Sequence, residues 1–437
     1  MHFIFEKIDD ENGLQNFIKC DDLNTSGIPR FPISPLVNAL TLNKTLFKDR
    51  SIDPTFSCTP LYDRPYVIST GVAHDPSFWA EGPKDNKKTL FEYLNKDYIQ
   101  DLQKGKAFLL LDQSHEGCHE SWLWEWMHTN ANKYDVPIQQ IIYITGDFNA
   151  PKNYKAWYSQ FDLKVKMHVI VYEIFETHIS SILTKHNNRK RITNIDKQFA
   201  YKEKHLKSIK DYNCLQKRAR GHRVFLFDKL SENKLLDKGI NSMNKLPNES
   251  IHYFKDFPIF CEEKRVRELN KLLPIIPKYY QNKENLFTSP HNGELIQELN
   301  FEIMCHSWLT VVSEAHYFTA AETGFLSEKT FKPIACGHPF IIYGAKFSLQ
   351  RIKELGYKTF EPFIDESYDN LDDISRIDKI IMILKDFCQK SQKEKLQFYQ
   401  NCMPILQFNQ NLILRKFRMN STIYNQIRII VENDYDY

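Results

Sequence analysis

The chain has 437 residues, with 58 Lys and Arg against 55 Asp and Glu, a formal charge of +3. Hydrophobic residues make up 42% and charged residues 26%, which excludes a disordered chain, a collagenous repeat and a small disulfide-stapled scaffold. At roughly 150 residues per domain, the length predicts two or three domains, each able to bury its own core. No apolar run approaches the roughly 18–20 residues that span a bilayer. The opening MHFIFEKIDDENG has neither a basic head nor a cleavage site. No transmembrane segment and a cytoplasmic location are therefore expected. The nine cysteines are odd in number and nowhere spaced Cys-x-x-Cys, so they read as buried free thiols. Cys118, flanked by His115 and His119, is the one place where a Cys–His nucleophilic pair is conceivable.

In chain order, residues 1–65 show little periodicity and read as a loosely organised lobe. Four short apolar runs follow, at 66–69, 107–112, 140–145 and 166–171, with helical spacing over 120–134. Short buried strands alternating with helices predict a parallel, doubly wound sheet. A basic stretch, 185–223, holds 13 Lys and Arg against only Asp196, Glu203 and Asp211. A second alternation then runs through strands at 212–215, 308–312 and 339–343, with a helix at 348–355 closed by Gly356. Two long helical patterns, 373–400 and 405–431, finish the chain. The expected fold class is α/β, with two Rossmann-like domains in tandem and ligands gathered in an interdomain cleft. The expected boundaries are 1–200, 201–404 and a terminal helix in 405–437.

Neither a P-loop nor a Gly-x-Gly-x-x-Gly turn is present, so no glycine cradle for phosphate is indicated. The most informative segment is SEAHYFTAAETGFLSEKTFKPIACGHPFIIYG, residues 313–344. It holds Glu314, the neighbours Glu328 and Lys329, then Lys332, and a Gly-His-Pro turn into an apolar run. An acid and an amine side by side at a helix start can treat one ligand in two ways. The carboxylate accepts from sugar hydroxyls, and the ammonium neutralises an adjacent phosphate. Upstream, YNCLQKRARGHR places Lys217, Arg218, Arg220, His222 and Arg223 directly after a strand. Guanidinium forks bind phosphate oxygens in pairs, which suits Arg218 and Arg220.

Residues 325–344 resemble the donor-binding motif of the α1,3-fucosyltransferases, inverting enzymes of the GT-B glycosyltransferase class. Ser327-Glu328-Lys329 matches the family's Ser/Thr-Glu-Lys triplet, and Gly337-His338-Pro339 with Gly344 matches its turn and strand exit. Glu314 stands at the Glu of the family's upstream aromatic-Glu-Asn segment, with Ala315 in place of the Asn. The resemblance, useful over about 205–370, implies a nucleotide-sugar donor and no cofactor beyond it. It implies that Glu328 binds the donor ribose, that Lys329 binds the diphosphate, and that Arg218, or else Arg223, contacts the β-phosphate. It also implies a carboxylate base just beyond a strand of the first domain, and a terminal helix that crosses back to that domain.

A hydroxyl nucleophile needs such a base. The loop DQSHEGCHE after the 107–111 run offers Glu116 first, then Asp112 and His115; the alternative is a polar helix-capping loop. The one Asp-x-Asp, Asp434–Asp436, lies at the chain end, so metal-independent chemistry is expected, with cationic side chains on the leaving diphosphate. The acceptor is a saccharide by the resemblance. The basic stretch leaves open a DNA acceptor, a non-catalytic nucleic-acid-binding protein on the same scaffold, or a solvated linker.

Overall fold

The computed structural model describes residues 2–5, 66–70, 90–94, 96–114, 121–188, 194–217, 219–244, 263–275, 299, 301–317, 323–416 and 421–433. The chain divides into two compact units, one of Met1–Thr177, Glu322–Phe325 and Arg418–Tyr437, the other of His178–Ala321 and Leu326–Phe417.

The first unit is built on a parallel sheet of strands β1 (His2–Phe5), β2 (Tyr66–Thr70), β3 (Ala107–Gln113), β4 (Ile141–Thr145) and β5 (His168–Val171), in that spatial order. Strands β3 and β4 are buried along their whole length, which is why they read as unbroken apolar runs. Side chains alternate between the faces. Leu109, Leu111, Ile141 and Tyr143 join helices α1 (Leu90–Tyr93), α2 (Lys96–Gln103), α3 (Ser121–Lys133) and α4 (Ala150–Tyr158) in one core. Phe108, Leu110, Ile142 and Ile144 form a second core on the opposite face.

Because the strand order never reverses, same-handed crossovers stack their helices on a single face. Among the described residues, all four crossover helices do pack into one core. The other face is covered differently, by the terminal helix α14 (Ser421–Asn433), through Ile423, Ile427 and Val431 at four-residue spacing. Both faces are thus buried, one by crossovers and one by the end of the chain.

Helix α5 (Ile174–Asn188) contains the boundary at Thr177–His178, and α6 (Ile195–Lys204) belongs wholly to the second unit. The rest of that unit comprises β6 (Lys210–Leu215), α7 (Gly221–Glu232), β7 (Gly239–Ser242), α8 (Glu263–Lys271), α9 (Phe301–Cys305), β8 (Ser307–Ser313), α10 (Glu328–Cys336), β9 (Phe340–Tyr343), α11 (Ser348–Glu354), α12 (Asp373–Gln389) and α13 (Gln392–Lys416). Its four strands are parallel, in the order β7-β6-β8-β9. The chain steps outward from β6 to β7 and then returns to the other side of β6 as β8. That reversal makes a topological switch point between β6 and β8.

Helix α10 is fixed at its carboxyl end by side chains that cap its last carbonyls. Gln410 Nε2 donates to Ala335 O at 2.8 Å, Gln198 Nε2 to Cys336 O at 2.6 Å, and the Tyr399 hydroxyl to Gly337 O at 3.1 Å. Gly337 closes the helix at φ 62°, where a Cβ would also lie 2.5 Å from Ile195 Cγ1. Lys202 gives α9 the same service. It is fully buried, donates to Met304 O, Cys305 O and Ser307 O, and burial pushes its ammonium down to about 7.

Four expectations change. The basic stretch is no linker over its described residues but α6, β6 and the start of α7, and Lys202 and Arg223 are buried inside the fold. Residues 2–5, placed in a loose lobe, form an edge strand, and β7 goes undetected because Gly-Ile-Asn-Ser has no apolar pattern. The two long terminal helices are three. The break comes at Ser391, where Ser391 N–H donates to Glu394 Oε2 at 2.7 Å and Glu394 N–H to Ser391 Oγ at 3.3 Å, a capping box. Helix α13 instead runs straight through Pro404, held by buried Tyr399, Cys402, Leu406 and Ile413.

Ile427 is fully buried in the second core of the first unit. Ile427→Ala should lower that unit's stability by about 2–4 kcal/mol. Tryptophan fluorescence in a denaturant titration will report it, since Trp79, Trp122, Trp124, Trp126 and Trp157 fall in this unit and only Trp308 in the other.

Candidate functional site

The switch point of the second unit is flanked by two helix amino termini. Helix α7 starts six residues after β6 ends, with Arg220 at its N-cap, and α10 starts at Glu328 behind an N-cap Ser327. The positive ends of both helix dipoles therefore lie at the carboxyl edge of β6 and β8, a setting that favours an anion.

Glu314 holds the two sides together. Its main-chain N–H donates to Tyr343 O at 2.9 Å, extending the β8–β9 ladder. Its main-chain carbonyl accepts from His222 Nε2 at 3.0 Å and Arg223 Nη2 at 3.1 Å, and the next carbonyl, Ala315 O, accepts from Arg220 Nη1 at 2.8 Å. Its fully buried carboxylate accepts from Ala315 N (3.0 Å), Ser327 N (3.1 Å), Ser327 Oγ (2.5 Å) and Thr330 Oγ1 (2.6 Å). With both oxygens engaged inside the fold, Glu314 positions the start of α10 on the end of β8.

Around this clamp lie the charged groups. Lys329 Nζ donates to Glu328 Oε1 at 2.9 Å and to Ser327 Oγ at 3.1 Å. The Glu328 side chain is 14% exposed and that of Lys329 28%, so both are reachable from solvent. Burial pushes the Glu328 carboxyl up, but the Lys329 and Lys332 ammoniums and the Lys329 hydrogen bond outweigh it and hold the group at about 2. Glu328 is accordingly an ionised acceptor at any physiological pH. Burial and the neighbouring Arg220 lower Arg223 to about 10, while attraction to Glu328 and Glu314 acts the other way. Burial and Arg223 keep His222 well below its usual value, so it is neutral, and Nε2 carries the proton it gives to Glu314 O.

The structure thus brings together Arg220, Arg223, Glu314, Glu328, Lys329 and Lys332. Arg218 lies outside the described residues. The four cations exceed the two carboxylates by two, so the arrangement can receive a polyanion while Glu328 accepts hydrogen bonds from a neutral part of the same ligand.

In the first unit, the expected base Glu116 and its alternate His115 lie outside the described residues, as do Cys118 and His119. Asp112 is fully buried and its Oδ1 accepts from Ser114 N at 2.9 Å. Sequence reasoning passes over Asp147, two residues beyond β4. Its Oδ1 accepts from Gly324 N at 2.8 Å and Asn149 N at 2.9 Å, while its buried Oδ2 has no partner among the described residues. Gln113 Nε2 and Ser114 Oγ, at the neighbouring strand end, are likewise buried without partners among the described residues. Burial raises the Asp147 carboxyl to about 7, against the pull of the two N–H groups. The signal was present as Gly146-Asp147 closing an apolar run, the same strand-end logic that singles out Asp112.

The fold and this geometry define a class, an α/β protein of two parallel-sheet units whose second unit gathers cationic side chains beside a topological switch point. No protein-family model matches the chain, and no curated protein matches it. Among solved structures it is similar to one described as "Trehalose-6-phosphate from E. coli bound with UDP-2-fluoro glucose", at 10% sequence identity and a TM-score of 0.37, over 88% of this chain and 77% of that one. A likeness this faint carries no argument about activity or substrate.

Two outcomes follow from the geometry. Glu314→Gln puts an amide NH₂ where only donors face it, and should destabilise the second unit by about 2–4 kcal/mol in a denaturant titration. For Asp147 the folded value exceeds the unfolded value of 3.8. Its contribution is therefore present below about pH 4 and lost as pH rises to about 7. Asp147→Asn keeps an acceptor for Gly324 and Asn149 and removes that loss. The stability difference, variant minus wild type, should climb across this window by up to about 1.4 kcal/mol per pH unit and then level off.

Proposed function

We propose that the chain is a glycosyltransferase of GT-B type, moving a sugar from a nucleoside diphosphate donor to an acceptor hydroxyl by inverting displacement. The observation that carries this reading is the convergence of Arg220 and Arg223 on α7 with Glu328, Lys329 and Lys332 on α10 at one switch point. A pyrophosphate carries the charge that this surplus of cations matches, and a ribose carries the hydroxyls that an ionised Glu328 accepts. The placement of Ser327-Glu328-Lys329 at a capped helix start is what the resemblance to the fucosyltransferases calls for.

In the proposed reaction the acceptor oxygen bonds to the anomeric carbon as the bond from that carbon to the phosphate oxygen breaks. The electron pair leaves with the diphosphate, stabilised by Lys329, Lys332, Arg220 and Arg223, with Arg218 as a further candidate, and no metal ion is required. The acceptor's proton passes to a carboxylate or imidazole of the first unit, Glu116 foremost, with Asp112, His115 and Asp147 as the other candidates. A saccharide hydroxyl is the proposed acceptor. A DNA acceptor draws on the basic run, of which Lys202 is engaged inside the fold.

The test is a thermal-shift series with UDP, GDP and dTDP and their sugars. A donor present at 100 times its Kd should stabilise the protein by about 2.7 kcal/mol. Lys329→Ala should cost the unliganded protein no more than about 1 kcal/mol of stability through the lost Glu328 pair, remove most of the nucleotide-induced shift, and cut turnover of the donor that binds by about 10²-fold or more. No shift with any nucleotide, or a shift and turnover indifferent to Lys329, would overturn the assignment.

A further inference from the structure

Leading into the start of β5, the first unit carries a surface of unusual composition. Helix α4 and the nine residues that follow it read APKNYKAWYSQFDLKVKM. Phe161 is 50% exposed and Val165 45%, with Trp157 and Leu163 half-buried beside them. The Trp157 and Phe161 rings lie 4.8 Å apart, and His128 stands 5.0 Å from the Trp157 ring on the inner side. Lys152, Lys155, Lys164 and Lys166 are all exposed, and Asp162 is the only acid in the segment.

This exposure is enforced. The Tyr158 hydroxyl donates to Leu163 O, Met167 N–H donates to the Tyr154 hydroxyl at 3.1 Å, and Lys166 Nζ sits 4.8 Å over the Tyr158 ring. These contacts fold residues 159–167 back onto α4, so helix and turn form one surface with Phe161 and Val165 held outward. Singly exposed apolar side chains are ordinary; a cluster rimmed by cations marks an interaction site.

We propose that this surface docks the protein on an anionic lipid bilayer. The lysines complement acidic headgroups, Trp157 has the amphipathic ring that settles at the interface, and Phe161 and Val165 enter the acyl boundary. Val165 offers neither a π-face nor a polar group to a nucleic acid, which favours lipid over a stacked base. Among the described residues no helix is long and apolar enough to cross a membrane. This inference is independent of the nucleotide site.

The full-length chain should co-sediment with phosphatidylglycerol–phosphatidylcholine vesicles and not with phosphatidylcholine alone, and added salt should weaken the binding. The Trp157 environment should become less polar, seen as a blue shift lost in Trp157→Phe. Phe161→Ser with Val165→Ser, at exposed positions, should cut partitioning by roughly tenfold or more, and each Lys→Glu reversal by roughly fivefold or more. Absence of binding to anionic vesicles at low salt, or equal binding by the Phe161/Val165 double variant, would refute the proposal. Retention of duplex or single-stranded DNA through the same two residues would reassign the surface to nucleic acid.

Discussion

One buried carboxylate organises the second unit. Glu314 sits where β8 ends, and its side chain collects three donors from the start of α10 and one from Ala315, while its carbonyl collects two from α7. An unpaired ion in that position would be prohibitively costly, so the segments that carry these donors have little freedom to lie elsewhere. The consequence is that groups 105 residues apart in sequence, Arg223 and Glu328, share one electrostatic environment.

Helix α10 is held at both ends by different means. Its amino terminus is anchored to Glu314 through Ser327 and Thr330, and its carboxyl terminus is capped by Gln198, Tyr399 and Gln410. A helix fixed in this way presents Glu328 and Lys329 in one geometry before any ligand arrives. Preorganisation of that kind reduces the ordering cost of binding. The buried pair Lys395–Asp211, at 2.6 Å, further ties α13 to the foot of β6.

The first unit solves a different problem. A sheet whose strands follow in sequence order receives its crossovers on one face and leaves the other bare. The chain's last helix covers that face with Ile423, Ile427 and Val431. The unit is therefore completed only when residues from both ends of the sequence are present. The short segment Glu322–Phe325 also belongs to it, pinned by Asp147 through Gly324 and by the bridge between Asp147 and Phe325.

Much of this was legible in the sequence. Strands β3, β4, β8 and β9 announce themselves because a strand buried on both faces must be mostly apolar, and the Ser-Glu-Lys triplet stands out because a helix start needs a cap. What escaped were features whose signal is not local. The Gly-Ile-Asn-Ser of β7 becomes a strand by pairing with β6, α13 passes Pro404 because its packed side chains outweigh one lost hydrogen bond, and Asp147 is raised by a burial that only the folded chain creates. The amino-acid order by itself determined which segments are buried and which residue types stand at strand ends, since those follow from side-chain polarity and backbone period. Only the tertiary structure decided that β6 and β8 are neighbours, that α14 closes the first unit, and that Glu314 faces inward, because pairing order and burial of charge depend on contacts between residues far apart in the chain.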